Sequence, residues 1–314
     1  MTVNGYKLKR KTETVIIKIF RTVFIVGICY LFLFPIFYVL TTAFQSPSAA
    51  NDPTVIFIPK KFSLESIRVV WKIIDYAKSL WLTVRISVIS TIGSLISCSL
   101  VGYGLARFEF KEKKLAVALV LLTIIVPAPA ILSSNYLNFC FFTFGGILKI
   151  FGKASINLIN TPWTFILPSL FASGLRAGLF TLIFYQFFKG MPKDLEEAAY
   201  IDGCGFLKTY IRVMFPLAGS AFITVLLFSF IWHWNDVYSS TMYFNQGTRP
   251  LMVRLNELNS LLANSDMIAS DLSAYEMRSY IQAGALLASL PPLILFCFTQ
   301  RFFTESIERT GIVG

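Results

Sequence analysis

Charge is scarce in this chain: only 14% of its 314 residues are Asp, Glu, Lys or Arg, against about 25% in an ordinary soluble domain. Hydrophobic residues make up 55% and mean hydropathy is +0.66. No soluble core of this length hides so many apolar side chains, so the expected solvent is lipid. Histidine is scarcer still. His233 stands alone, and one imidazole makes no metal site. The five cysteines, Cys29, Cys98, Cys140, Cys204 and Cys297, are scattered and lack metal-ligand spacing. Most lie in or beside apolar runs, where Cys acts as a small hydrophobe, which argues against a disulfide framework or a metal centre. No G-x-x-x-x-G-K-[ST] phosphate cradle occurs anywhere, so ATP hydrolysis has no P-loop here. No cluster of His, Asp or Glu falls inside an apolar run, as a polytopic membrane enzyme would require. The amino terminus carries too long an apolar run, with no small-residue cleavage site after it, to be a cleavable signal peptide. Catalytic residues, metal and resident cofactor are therefore not expected.

What is present is a series of membrane-length apolar segments. A bilayer core about 30 Å thick takes about 20 helical residues to cross. Six stretches qualify: 22–44 with Pro35 as a kink, 86–106, 115–138 interrupted by "VPAPA", 163–188, 213–235 and 279–300. The apolar stretch 139–151 either lies at the interface or lengthens the third span. Lys and Arg cluster at the amino terminus (Lys7, Lys9, Arg10, Lys11, Lys18, Arg21), after the second span (Arg107, Lys111, Lys113, Lys114), after the fourth (Lys189, Lys193, Lys208, Arg212) and in the tail (Arg301, Arg309). With six spans these regions share one side, which the positive-inside rule makes cytoplasmic. The first outer loop is a counter-signal, with Lys60, Lys61, Arg68, Lys72 and Lys78 spread along it. The expectation is an all-α polytopic protein of six spans with both termini cytoplasmic. A basic segment 1–21 precedes the membrane domain 22–300, and a tail 301–314 follows it. The excess of 28 bases over 17 acids then needs no nucleic acid.

One segment differs from its surroundings. "KGMPKDLEEAAYIDGCGFLKTYIRVMFPL", from Lys189 to Leu217, packs acids, bases, Gly and Pro between two apolar runs. Pro192 suits the first turn of a helix. Asp194, Glu196 and Glu197 favour the positive end of its dipole. Ala198 and Ala199 add almost no bulk, Gly203 offers a left-handed stop, and Gly205 frees the chain to turn. A short helix, a sharp turn and a second helix are predicted on the cytoplasmic loop 189–212. Small residues on such a helix admit another protein's backbone. A capped loop helix without a partner explains the same residues.

These residues resemble the cytoplasmic motif of permease subunits in binding-protein-dependent ABC importers: Glu-Ala-Ala, three residues, Gly, nine residues, Ile, one residue, Leu-Pro. Here Glu197-Ala198-Ala199 precedes Gly203, Val213, Phe215 and Pro216, with every interval kept. "MPKDLEEAAYIDG" is similar to the carbohydrate-importing, maltose-type branch. Tyr103, Leu105, Arg107 and Phe108 after the second span, "LINTPWTFILP" and "WHWND" also have counterparts there. The tail ends Gly311-Ile312-Val313-Gly314 without the family's Lys, which puts a tail contact with the ATPase in doubt. The resemblance implies the type I importer permease fold in a bacterial plasma membrane. It also implies a second homologous permease, two ATP-binding cassette subunits that hold ATP and Mg, an extracellular sugar-binding protein and a carbohydrate substrate. Glu197, Ala198, Ala199, Asp202 and Gly203 carry over as the element that couples to the ATPase. A stand-alone secondary transporter or channel for a small polar solute is the alternative, though the halves show no clear internal repeat.

Other positions have more than one reading. Arg176 falls near the middle of the fourth span, where a charge either serves the substrate pathway or makes an interhelical contact; if the span starts earlier, near Ala154, Arg176 lies close to the cytoplasmic edge instead. Trp232 and Trp234 suit interfacial anchors, and Trp234 and Asn235 also suit a sugar vestibule. Asn235 and Asp236 equally suit an ordinary helix end. Tyr136 and Asn138, just past the "VPAPA" break, are further pathway candidates. The outer loop 236–278 meets an external binding protein or is a solvated loop with a short helix of its own.

Overall fold

Apolar side chains without charge fold as helices in lipid because every backbone amide must find its partner within the segment. The computed structural model describes residues 3–47, 62–152, 154–265 and 273–311. Among them there is no β-strand, only isolated bridges between Gln45 and Phe62 and between Phe142 and Ile156. The chain divides into two compact units, residues 1–73 with 258–287, and residues 74–257 with 288–314.

In the first unit, helix α1 (Val3–Ala43) runs on through Pro35, and its window Thr14–Ala43 is long and apolar enough to cross a membrane. Beyond it Ser63 N–H donates to Phe44 O at 2.8 Å, and the Phe44 and Phe62 rings stack at 4.9 Å. The short helices α2 (Glu65–Ile73) and, later in the chain, Leu258–Ala263 bury Val70, Leu258 and Leu262.

The second unit is built around α3 (Tyr76–Arg107), which starts ten residues before the predicted span and takes in Lys78 and Arg85. One side of α3 is small. A Cβ added at Gly102 would sit 2.6 Å from Phe184 Cβ and 2.9 Å from Tyr185 N. At Gly93 it would lie 3.3 Å from Leu170, and Ser97 Oγ donates to Ser169 O at 2.7 Å. Small residues let helices approach this closely where lipid supplies no hydrophobic drive between them. The helices that approach are α6 (Trp163–Leu170) and α7 (Ala177–Gly190). They follow α4 (Lys113–Ile125), α5 (Ala128–Cys140) and a 3₁₀ segment, Phe144–Phe151. After α7 come α8 (Asp194–Ile201), α9 (Phe206–Thr209), a π turn at Tyr210–Met214, α10 (Phe215–Leu217) and α11 (Gly219–Asn235). Pro216 cannot donate to the carbonyl four residues back, which accounts for the widened turn just before it. The short helices α12 (Tyr238–Tyr243) and α13 (Leu251–Asn256) follow in this unit. With the first unit's Leu258–Ala263 as α14, the last helix is α15 (Ala274–Gly311). The core packs Cys98, Phe180, Phe184, Phe188, Tyr210, Met214 and Val225.

The predicted spans are not all single helices. Among the described residues three helices, at Thr14–Ala43, Tyr76–Arg107 and Ala274–Arg301, are long and apolar enough to cross a membrane, or up to five spans if each bent pair counts as one. The third predicted span breaks at Val126–Pro127, as "VPAPA" led one to expect, with α4 and α5 bent by 100°. The fifth bends by 79° between α10 and α11. The fourth is two helices, α6 and α7, with Ala172 (φ 51°) and Arg176 (φ 58°) left-handed between them. At 14 residues α7 is about 21 Å long, short of the bilayer core by itself.

Candidate coupling surface

Helix α8 has two faces of opposite character. Gly203 ends it, with φ +74°, in a closed cap: Gly203 N–H donates to Tyr200 O at 3.0 Å and Cys204 N–H to Ala199 O at 2.9 Å. This is the Schellman arrangement that a left-handed glycine permits. Gly205 needs no positive φ; it is extended and precedes α9. On the outer face Glu197, Ala198, Tyr200, Ile201, Asp202 and Gly203 are exposed, Ile201 by 86%. Leu207 and Ile211 are exposed just beyond. An apolar patch of this kind at a polar loop marks a contact surface. Of the predicted coupling residues, Ala199 alone is buried.

The inner face was not foreseen. Glu196, read above only as an acid suited to the helix dipole, is 7% exposed. Its Oε1 accepts from Tyr103 Oη at 2.6 Å, and Arg107 Nε lies 3.4 Å from its Oε2. That last contact is an ion pair off the hydrogen-bonding direction, since Arg107 Nε has no hydrogen-bond acceptor. Arg107 Nη2 meanwhile donates to Met191 O at 2.9 Å. The Tyr103 ring stacks on Phe206 at 5.1 Å and meets Phe188 at 5.3 Å and Tyr210 at 5.2 Å, which keeps water from the pair. Tyr103 and Arg107 stand four apart, on one face of α3. That spacing, polar at the end of an apolar helix, was the available signal. Close by, Lys113 donates to Glu109 at 3.0 Å. This bond first, then the charges of Lys113 and Lys193, hold the Glu109 carboxyl below the usual carboxylate range.

The pathway candidates lie on three other elements: Tyr136 and Asn138 on α5, Arg176 at the head of α7, and Trp234 and Asn235 at the end of α11. Arg176 is not in mid-helix: it heads α7, exposed, with its guanidinium 5.6 Å from the Trp232 ring centroid. The left-handed break supplies the reason, and the aromatic face offsets part of the cost of a charge there. Trp234 is 1% exposed and its indole N–H donates to Ala288 O at 3.1 Å, so protein encloses it. His233 is equally enclosed, with Nδ1 2.8 Å from Ser229 O. Asn235 and Asn138 are exposed. Asp236 caps α12, accepting from Ser240 N–H at 2.7 Å and Ser239 Oγ at 3.1 Å. Tyr136 Oη accepts from Asn245 Nδ2 at 3.4 Å, and Asn160 Nδ2 donates to Asn245 Oδ1 at 3.0 Å. Asn160 and Asn245 were missed because the residues that meet Tyr136 are distant in sequence. Among the described residues no group of His, Cys, Asp and Glu could hold a metal ion. The last residues of the tail, 312–314, lie outside the described residues.

The chain thus combines membrane-length apolar helices with a charged, glycine-capped helix that presents one bare face. The chain matches the binding-protein-dependent transport system inner membrane component family over residues 98–309, and it belongs to that family. It is a multi-pass inner membrane protein and the membrane component of its transporter, with ATP hydrolysis carried by a separate ATPase. It is 26% identical over 285 residues to the polygalacturonan/rhamnogalacturonan transport system permease protein YtcP of Bacillus subtilis (strain 168), covering 89% of this chain and 92% of that one. It is also 26% identical over 317 residues to the arabinooligosaccharides transport system permease protein AraQ of Halalkalibacterium halodurans, covering 98% and 100%. In fold it is similar to a chain of a bacterial ABC transporter involved in import of the acidic polysaccharide alginate, with TM-score 0.71, 20% identity and coverage of 93% and 98%.

Proposed function

We propose that this chain is one permease half of an ATP-driven oligosaccharide importer, working by alternating access. The two-faced α8 carries the reading: one side is anchored to α3 and the other, Glu197, Ala198, Tyr200, Ile201, Asp202 and Gly203, is bare. The bare side docks on a cytoplasmic ATPase, with Ala199 packing beneath it. Two ATPase subunits and a second, homologous permease complete the pathway, and an extracellular sugar-binding protein delivers substrate to loop 236–278. Six spans with both termini cytoplasmic place the basic loops and α8 together on the ATPase side. Here α6 with α7 forms the fourth span. Sugar is the substrate class because YtcP and AraQ carry oligo- and polysaccharide names. Arg176, Tyr136, Asn138, Trp234 and Asn235 remain the pathway residues proposed from the sequence. Among them the Tyr136 hydroxyl, joined to Asn245, has the amide and hydroxyl chemistry that sugars meet.

The test is reconstitution of the full complex in proteoliposomes, with labelled arabinooligosaccharides and rhamnogalacturonan oligosaccharides outside. ATP-dependent uptake of one of these is expected, and Glu197→Arg should abolish co-purification of the ATPase. Uptake that runs on an ion gradient without any ATPase would instead establish a stand-alone transporter.

A further inference from the structure

We propose that Glu196 is a positioning residue that locks α8 onto the end of α3 through Tyr103 and Arg107, making α3 the first receiver of movement imposed on α8. The proposal rests on the coupling reading of α8 above. Two routes lead from α8 into the helices of its unit. The covalent one passes through α9, the π turn at Tyr210–Met214 and the 79° bend before α11. A widened turn and a bend absorb displacement. The other route is direct. The 2.6 Å bond from Tyr103 Oη to a carboxylate is short and charge-assisted, the stronger class of hydrogen bond. Arg107 reaches both the Glu196 carboxylate and the Met191 carbonyl, at 2.9 Å for the latter, so it holds α8 and the segment leading into it together.

Burial raises the stakes. The Arg107 and Glu196 side chains are 7% and 9% exposed, and separating such a pair strands charge away from water. The joint therefore moves as a unit or not at all. Beyond it α3 packs closely on α7, with Gly102 against Phe184 and Tyr185 one residue from Tyr103. Displacement at Glu196 is thereby passed through α3 to α7 as rigid helix movement. This gives a role to the Tyr103–Arg107 motif, which docking on the ATPase does not use.

Spin labels on Asp194→Cys and Val101→Cys, with Cys29, Cys140, Cys204 and Cys297 replaced by Ser, report the α8–α3 distance within the assembled complex. In the otherwise unaltered chain one narrow distance is expected, the same without nucleotide and with ATP and vanadate. Tyr103→Phe and Glu196→Gln should keep the ATPase bound and lose that single distance only in the vanadate-trapped state. An unchanged distribution in both variants overturns the proposal, as does equal broadening in both nucleotide states, which a merely structural role produces. Glu197→Arg is run beside them and reports on docking alone. ATPase retained in that variant counts against the docking reading, while the distance data decide the joint separately.

Discussion

In its first third, α3 offers the Thr83 hydroxyl, which donates to Ser79 O at 2.8 Å and accepts from Leu251 N–H at 2.8 Å. In its last turns it offers Tyr103 and Arg107, which close on the Glu196 carboxylate. The two places lie about 30 Å apart along the helix, and both tie α3 to a short loop helix. The chemistry differs. At Thr83 a neutral hydroxyl satisfies one of the amides that the start of α13 leaves open. At Tyr103 the tie is a buried charge, costly to desolvate and costly to break. A neutral tie holds a loop in place. A charged one also transmits load, because its two sides resist separation more than either resists moving together.

The largest expected effect breaks the charged end. Glu196→Ala leaves the Arg107 guanidinium buried without its carboxylate, a loss of about 3–5 kcal/mol for pairs of this kind. The thermal unfolding temperature of the purified protein in detergent should fall sharply. Replacing both partners by apolar residues of similar volume instead, Glu196→Leu with Arg107→Met, should recover most of the loss, since such an exchange is often neutral. A single variant as stable as the parent would show that the pair bears no load.

The neutral end should give less. Thr83→Val keeps the volume and leaves the buried Leu251 N–H unpaired, at about 1–3 kcal/mol. The same melt should show a smaller drop, with ATPase association untouched. A drop equal to that of Glu196→Ala would erase the distinction between the two ends.

The contrast also marks what sequence alone could reach. The left-handed stop at Gly203 and the short helix before it were legible because glycine and proline act locally. So was the break at "VPAPA". Glu196 and Glu197 are adjacent acids on a helix of two turns, and no local rule says which one faces inward. That depends on Tyr103 and Arg107, about ninety residues earlier in the chain. The break between α6 and α7 was hidden for a related reason. Ala172 and Arg176 adopt left-handed backbone, which their side chains disfavour and only tertiary packing imposes. Apolar length located membrane-length segments but not their breaks: of six predicted stretches, three appear among the described residues as single helices long enough to cross, and others are bent or divided.

The smallest effect sharpens the comparison by removing burial from it. Glu109 and Lys113 form an ion pair at 3.0 Å with nearly the same partners in charge as Glu196 and Arg107, but the Glu109 side chain is 85% exposed. Water and salt screen such a pair, and holding two flexible side chains together cancels much of the gain. Glu109→Gln should leave the melting temperature unchanged within error, in low or high salt. The pH dependence has a fixed sign. The Glu109 carboxyl titrates below its ordinary range when folded, so any contribution is present above the unfolded pKa and fades as pH falls through the folded one. The Gln variant and the parent should therefore converge in acid. A clear loss in Glu109→Gln at neutral pH would mean that charge at this end of α3, and not its burial, sets the strength of the tie.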